Sequence, residues 1–122
     1  MFVGPKRAAK IKALVEELER DPVDGTCGIA HTRWATHGEP NQINAHPHMS
    51  GEQVAVVHNG IIENHSELRK RLEEEGYRFT SETDTEVIVH QIHVYLEQGQ
   101  DLPQAVRSAA CDLEGAFGLG VM

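Results

Sequence analysis

The side chains best suited to chemistry in this sequence lie in two stretches, His31–Pro40 and Asn59-Gly60. In the first, Arg33 can bind a carboxylate through two parallel N–H groups, and the adjacent Trp34 can close over a small ligand. A surface arginine beside a half-buried tryptophan is the alternative interpretation. In the second, an asparagine side-chain amide next to a glycine N–H can donate two hydrogen bonds to an oxyanion, although Asn-Gly is also a common hairpin turn.

Asp84 is the third candidate, within the polar run Ser81–Thr85 at the start of a predicted helix. An aspartate there can cap the helix, or it can present its carboxylate to a ligand ammonium group. Arg33 and Asp84 together would bind the two ends of an α-amino acid zwitterion. The pattern therefore suggests an amino-acid site, with the capping role of Asp84 left open.

Neither cysteine is a convincing nucleophile for such a site. Cys27 precedes His31 by four residues, and in a strand this spacing separates the two side chains by roughly 13 Å, at about 3.3 Å per residue. Cys111 lies near the end of an alanine-rich helix, where a thiol is usually inert. Both are expected to be reduced, because nothing in their spacing indicates a disulfide.

The eight histidines make a metal site worth considering. His46 and His48 form one close pair, and His90 and His93 share a face of a predicted helix. No acidic residue accompanies the second pair at the spacing of a known metal motif. The prediction is therefore no metal and no cofactor, with a histidine-based metallohydrolase as an alternative.

Composition limits the function classes. The 122 residues carry a formal net charge of −8, which disfavours binding to nucleic acid or to an anionic membrane surface. No apolar run approaches the ~20 residues that a membrane span needs, and no signal peptide is evident. Hydrophobic residues make up 39% of the chain, enough for the core of one soluble domain, and a cytoplasmic location is expected.

Hydrophobic periodicity predicts an α+β chain with mostly antiparallel strands, because strands and helices come in blocks. The predicted helices are Lys6–Glu19, Asn64–Glu75, Glu86–Gln98 and Leu102–Leu113. The predicted strands are 26–32, Gln53–His58, Tyr77–Thr80 and a last strand from Gly115. Asn64 is predicted to form a capping box with Glu67, and Gly76 is predicted to end that helix. The stretch 35–51 is predicted to be a loop.

Four motifs together resemble a known family. They are His31–Pro40, Asn44–His48, Val57–Asn64 and Ser81–Ile88, in this order along the chain. With these motifs the sequence resembles the class II, N-terminal-nucleophile glutamine amidotransferase domain of the glucosamine-6-phosphate synthase family. The resemblance implies a four-layer αββα sandwich of antiparallel sheets. It also implies hydrolysis of the glutamine side-chain amide, with the ammonia passed to a separate sugar-isomerase domain that holds fructose 6-phosphate.

The same resemblance implies the residues that would bind L-glutamine. Arg33 would bind the α-carboxylate, and Asp84 would bind the α-ammonium group. Trp34, Thr36 and His37 would line or close the pocket. These roles agree with the chemistry that the residue types suggest by themselves.

The resemblance also implies an oxyanion hole made by the Asn59 side chain and the Gly60 backbone N–H. In this family the nucleophile is an N-terminal cysteine whose α-amino group acts as the base. The sequence begins with Met1-Phe2 instead. The Cys27-Gly-Ile segment resembles the start of such enzymes, but it lies where the family has an internal strand.

Residues 1–122 are therefore interpreted as a partial amidotransferase domain that lacks the first strands, the nucleophile and the sugar-isomerase domains. Such a fragment would contribute glutamine binding and the oxyanion hole, and alone it would not hydrolyse glutamine. Its parent would be a homodimer. A non-catalytic glutamine-binding module on the same scaffold is the alternative, and it predicts glutamine binding that Arg33→Ala abolishes.

Overall fold

Helices and strands occur in blocks along the chain. The computed structural model describes residues 11–32 and 41–122. Within them the helices are α1 (Ile11–Arg20), α2 (His65–Glu74), α3 (Asp84–Glu97) and α4 (Leu102–Asp112). The strands are β1 (His48–Ser50), β2 (Val54–Ile62) and β3 (Gly115–Val121). The predicted helices are confirmed apart from small shifts at their ends, and the part of the first helix before Ile11 lies outside the described residues.

The sheet is antiparallel, with β2 in the centre and β1 and β3 on either side. β2 begins with the largely β-branched run Val54–Val57, which favours a buried strand. Val54, Val56 and Ile62 are completely buried in the core that the helices share, whereas Ile61 is 47% exposed. The prediction of an α+β chain with antiparallel strands is confirmed, and the described residues form one sheet.

α3 is the central helix, in contact with β1, β2, α2 and α4. Its first part, from Asp84 to Ile92, is buried at every residue. Val87 and Ile88 lie in the core, and the polar residues of the same segment are hydrogen-bonded, as burial requires. No helix in the described ranges is long and apolar enough to cross a membrane.

Asn64 does not form the predicted capping box with Glu67. It is the N-cap residue of α2, but its side chain makes no capping hydrogen bond. The side-chain amide instead donates to the Asp112 carbonyl at 2.8 Å, and its oxygen accepts from the Glu114 N–H at 2.9 Å. This side chain therefore joins α2 to the turn between α4 and β3. At the other end, Gly76 with a φ of 96° ends the helix as predicted.

The predicted strand Tyr77–Thr80 is wrong, because these residues form an irregular segment along α3. The rings of Tyr77 and Phe79 pack on His90, with centroid distances of 5.1 Å and 4.8 Å. His90 Nε2 also donates to the backbone carbonyl of Arg78 at 3.1 Å. The alternation of large residues therefore reflects packing on a helix and not pairing in a sheet.

The predicted strand at 26–32 is also wrong, and a short strand lies within the predicted loop 35–51. Residues 26–32 have no regular structure and are mostly exposed, since no described strand pairs with them. β1 pairs Ser50 with Val54, so the chain turns tightly at residues 51–53. A strand of three residues is too short for a periodic pattern to reveal it.

Glu86 fixes the segment that leads into α3. Its carboxylate accepts hydrogen bonds from the Thr80 N–H at 2.8 Å and the Ser81 N–H at 2.7 Å, and from the hydroxyl groups of both residues. His90 Nε2 lies 3.5 Å from its Oε1. Burial alone would raise the pKa of this carboxyl, but the hydrogen bonds from His90, Ser81 and Thr80 outweigh burial and lower the pKa to about 2.

Glu86→Gln should destabilise the fold by about 2–3 kcal/mol at neutral pH, because glutamine replaces a charged acceptor of several hydrogen bonds with a neutral one. The folded-state pKa of about 2 lies below the ordinary value of 4.5, so the contribution of Glu86 is complete above pH 4.5 and is lost as the pH falls toward 2. Denaturant unfolding at several pH values measures both effects, with the exposed Glu52→Gln as control. If the free energies of unfolding of E86Q and wild type differed by the same amount at every pH in this range, the Glu86 carboxylate would not be the group that stabilises the fold.

Candidate functional site

Asn59-Gly60 lies inside β2 and not in a hairpin turn. Both residues pair with β3, and the register continues unchanged to Ile62. Both are exposed, between the buried residues His58 and Ile62. The hairpin alternative is therefore wrong, and the pair occupies an accessible part of the central strand.

The backbone amides of β2 point alternately to the two edges of the strand. Beside the strand pairing itself, Ala55 and Met122 exchange two hydrogen bonds, and the Glu63 N–H donates to the Glu114 carbonyl. The backbone N–H and C=O groups of odd-numbered residues of β2 therefore form hydrogen bonds with β3. The amides of even-numbered residues point to the opposite edge.

At that opposite edge, side chains accept hydrogen bonds from backbone N–H groups of β2. The His58 N–H donates to His46 Nδ1 at 3.2 Å, and the Ile62 N–H donates to Asp84 Oδ2 at 2.9 Å. Gly60 lies between these two positions, so its N–H points to the same edge. The amide proposed by sequence as an oxyanion donor and the carboxylate proposed as an ammonium partner therefore face one region.

Gly60 has a backbone conformation and surroundings that require glycine. Its φ is 134°, outside the range that residues with a side chain commonly adopt. A Cβ atom at this position would lie 2.2 Å from the Ala116 carbonyl oxygen and 2.8 Å from Phe117 Cα. The close approach of β3 therefore depends on the absence of a side chain here.

Asp84 is the first residue of α3 and not its cap, because Thr83 occupies the N-cap position. The residue is only 3% exposed, and its Oδ1 lies 3.9 Å from His58 Nδ1. The partial positive charge of the helix N-terminus stabilises a carboxylate in the first turn. Since Oδ2 accepts the Ile62 amide, Asp84 joins the start of α3 to the edge of β2 beside Gly60.

The Asn44–His48 motif is held against the entry of α3. The Asn44 side chain donates to Glu82 Oε2 at 3.2 Å and accepts from the Glu82 N–H at 2.9 Å. His48 Nε2 lies 3.1 Å from Thr83 Oγ1, and both Asn44 and His48 are buried. The motif therefore forms a fixed wall beside the first turn of α3.

His46, His58 and Thr85 form a closed group of hydrogen bonds next to Asp84. Thr85 Oγ1 lies 3.3 Å from His46 Nε2 and 3.0 Å from His58 Nδ1. Sequence patterns do not identify this group, because its members are far apart in the chain. The available signal is adjacency: His58 precedes Asn59, and Thr85 follows Asp84.

Four predicted site residues lie outside the described residues: Arg33, Trp34, Thr36 and His37. On the N-terminal side of that gap, the His31 ring stacks on His46, with centroids 4.3 Å apart. The described chain therefore reaches the His46 group just before these four residues.

Both cysteines are exposed free thiols. Cys27 lies in the irregular segment after α1, and Cys111 lies in the last turn of α4. Neither is part of β2 or of the first turn of α3. Neither thiol has a described hydrogen-bond or ion-pair partner that would activate it.

Five of the described histidines, His46, His48, His58, His90 and His93, bond to hydroxyl or backbone groups. Ser50 Oγ, for example, lies 2.8 Å from His90 Nδ1 and 2.6 Å from His93 Nδ1. Among the described residues, no group of three or more His, Cys, Asp or Glu side chains is arranged to hold a metal ion.

Residues 31–122 match the family model of the glutamine amidotransferase domain. The glutamine–fructose-6-phosphate aminotransferases (isomerizing) of Idiomarina loihiensis and Pseudomonas aeruginosa are each 56% identical to this chain over 117 residues. These alignments cover 96% of this chain and 19% of each relative. The chain thus spans about a fifth of the length of the curated relatives that it matches.

Two solved structures share the fold of this chain. The glutamine phosphoribosylpyrophosphate amidotransferase from B. subtilis is 30% identical, with a TM-score of 0.62, and the match covers 75% of this chain and 20% of that chain. A structure of the allosteric regulatory enzyme of purine biosynthesis matches with a TM-score of 0.63, at the same identity and coverage. The predicted α+β fold class is confirmed by this likeness.

Gly60→Ala should destabilise the fold by about 2–4 kcal/mol, because the new Cβ overlaps β3 and the backbone is in a strained region for alanine. Gly28→Ala is the matched control, since no atom lies within 4 Å of a Cβ built there. Denaturant unfolding of the two variants gives the comparison. If G60A and G28A were equally stable, the close pairing of β2 with β3 at this position would be wrong.

Proposed function

The chain belongs to the glutamine amidotransferase domain family, and we propose on that premise that its site binds L-glutamine for hydrolysis of the side-chain amide. The observation that carries the proposal is the shared edge of β2. The buried Asp84 carboxylate bonds to this edge, and the Gly60 N–H points to it. A negative group and a hydrogen-bond donor on one edge suit a ligand that carries an ammonium group and a reacting carbonyl.

We assign the α-ammonium group of glutamine to Asp84. Its carboxylate is buried at the start of α3, where a charged ligand group is shielded from water and the interaction is strong. The motif that follows His31 suggests the remaining contacts. Arg33 is proposed to bind the α-carboxylate, and the pocket is proposed to be lined or closed by Trp34, Thr36 and His37.

We propose that the Asn59 side chain and the Gly60 N–H donate hydrogen bonds to the oxyanion that forms from the carbonyl oxygen of the side-chain amide. Donors that are already in place stabilise developing charge without reorganisation. Here β3 holds one edge of β2, and the amides of His58 and Ile62 are anchored on the other. The two proposed donors lie between these anchors and are exposed to an incoming ligand.

The nucleophile is proposed to be neither Cys27 nor Cys111, because both thiols are exposed and lie on other elements. We interpret residues 1–122 as a partial class II amidotransferase domain that supplies substrate binding and oxyanion stabilisation. The lengths of the relatives support this interpretation, since the aligned part of this chain covers only 19% of the length of each relative.

We propose that the parent protein transfers the ammonia to fructose 6-phosphate, as the names of the relatives at 56% identity indicate for those enzymes. The sugar would bind to sugar-isomerase domains in the rest of the parent, which we propose to be a cytoplasmic homodimer. Amide hydrolysis by a thiol needs a base and oxyanion donors and calls for no cofactor. Nucleic acid and membrane have no part in this activity.

Asp84→Asn should weaken L-glutamine binding at least tenfold, because a charge-assisted hydrogen bond contributes about 1.5–3 kcal/mol. Asparagine keeps an oxygen that can accept the Ile62 N–H, so the fold should survive. An NMR titration of the 122-residue chain with L-glutamine measures the affinity. Asp24→Asn changes an exposed carboxylate and should have no effect. Equal affinities of D84N and wild type would remove Asp84 from the site.

The 122-residue chain should release no glutamate from glutamine above the uncatalysed rate, because neither thiol has a described activating partner. An enzyme-coupled glutamate assay over several hours tests this expectation. Cys27→Ser and Cys111→Ser serve as comparisons. Release that disappears in either variant would identify that thiol as the nucleophile and refute the assignment.

A further inference from the structure

Ser50, His90 and His93 form a group of hydrogen bonds where β1 ends against α3. The Ser50 hydroxyl oxygen lies 2.8 Å from His90 Nδ1 and 2.6 Å from His93 Nδ1. We propose that this group is a pH-sensitive switch. The two imidazole rings together hold one proton beyond those of their neutral forms, and this added proton ties the turn between β1 and β2 to α3. The inference is independent of the proposed glutamine site, to which none of the three residues belongs.

His90 fixes the direction of the hydrogen bonds. Its Nε2 lies 3.1 Å from the Arg78 carbonyl oxygen and 3.5 Å from Glu86 Oε1. A carbonyl and an ionised carboxylate only accept hydrogen bonds, so His90 Nε2 carries a proton. A neutral His90 then has no proton on Nδ1. Its Nδ1 therefore accepts the hydrogen bond that the Ser50 hydroxyl group donates.

The Ser50 hydroxyl group has a single proton and can donate it to only one of the two rings. Ser50 is 1% exposed, and its described side-chain contacts are these two imidazoles. When neutral His90 accepts the hydroxyl proton, His93 Nδ1 must donate to the same oxygen. A neutral His93 with its proton on Nδ1 has only a lone pair on Nε2.

His93 Nε2 faces a carboxylate. This atom is buried without a hydrogen-bond partner among the described residues, and it lies 3.3 Å from Glu97 Oε1. The Gln53 side chain donates to the same carboxylate oxygen at 3.2 Å and so holds it in place. A lone pair beside a carboxylate is repelled, whereas a proton on Nε2 turns the contact into an ion pair. The arrangement is therefore complete when His93 is charged.

A second arrangement has the same total charge. A charged His90 donates from Nδ1 to Ser50, and Ser50 donates to His93 Nδ1. His93 then keeps its proton on Nε2, beside Glu97. The contacts with Glu86 and Glu97 favour one positive charge in either arrangement. A second added proton is disfavoured, because both rings would donate to Ser50 and the hydroxyl proton would have no described acceptor.

Tyr77 is the other titratable side chain that faces both rings, with centroid distances of 5.1 Å and 5.6 Å. Burial, together with the charges of Glu97 and Glu75, raises the pKa of its hydroxyl group above the ordinary value of 10.0. Tyr77 is therefore uncharged at the pH values where histidines titrate. The charges that act on the two rings come from Glu86 and Glu97.

The added proton acts on the turn between β1 and β2. Ser50 is the last residue of β1, and Gln53 in the turn bonds to Glu97. Gly51 lies against the His93 ring, since a Cβ built there would be 3.4 Å from Cε1. Loss of the proton replaces the attraction between His93 and Glu97 by repulsion. The turn is therefore held most firmly against α3 in the protonated state.

His93→Asn and Ser50→Ala test the two parts of the switch. Asparagine keeps an N–H group near the position of Nδ1 but cannot take up a proton, and alanine removes the hydroxyl group that couples the rings. Glu52→Gln is the control, because Glu52 lies in the same turn and is exposed. All measurements use the 122-residue chain.

Imidazole ¹⁵N spectra at neutral pH count the protons on the two rings. Wild type and E52Q should show every ring nitrogen of His90 and His93 protonated except one. In S50A each ring should carry one proton, on Nε2, because neither Nδ1 then has to donate. One proton on each ring in wild type would overturn the proposal. An added proton that persists in S50A would also overturn it, because Ser50 would then not be the cause.

Denaturant unfolding measures the effect on the fold. The folded wild type binds the added proton more tightly than the unfolded chain does, so its stability is greatest while the proton is bound and falls as the proton is lost. Its denaturant midpoint should therefore fall as the pH rises from neutral to about 9, and that of H93N should fall clearly less. Equal pH dependence of wild type and H93N would overturn the proposal. If either variant does not fold, the wild-type proton count decides.

Discussion

The contact between the edge of β2 and the first turn of α3 is the interaction on which the site depends. A strand edge is usually covered by another strand, but β1 pairs only with the first residues of β2. Beyond them, side chains accept the backbone amides: His46 bonds to His58, and Asp84 bonds to Ile62. Between these anchors, the Gly60 N–H points to an edge that no described strand covers, and this edge is where we propose that the ligand binds.

The first turn of α3 carries two carboxylates, of which Glu86 stabilises the fold and Asp84 is proposed to bind the ligand. Glu86 accepts hydrogen bonds from the segment before the helix, which lower its pKa to about 2 and fix the approach to α3. Asp84 faces the other way, toward β2, where its negative charge lies next to the proposed oxyanion donors.

Local signals in the sequence are sufficient to predict the helices and the central strand. They fail where the partner of a residue is distant. Tyr77 and Phe79 alternate as in a strand but pack on α3. Asn64 has the spacing of a cap, yet it bonds to a carbonyl 48 residues away. The group around Thr85 joins positions up to 39 residues apart, so its hydrogen bonds depend on tertiary structure.

Amide chemical-shift mapping of the 122-residue chain with L-glutamine tests most directly whether the edge of β2 and the start of α3 form one glutamine site. We predict the largest shifts at residues 58–62 and 83–86, with the Gly60 amide among the most affected, because its N–H points to the proposed oxyanion position. Shifts that concentrate on α1 or α4, or an unchanged spectrum at saturating glutamine, would contradict a glutamine site at this edge.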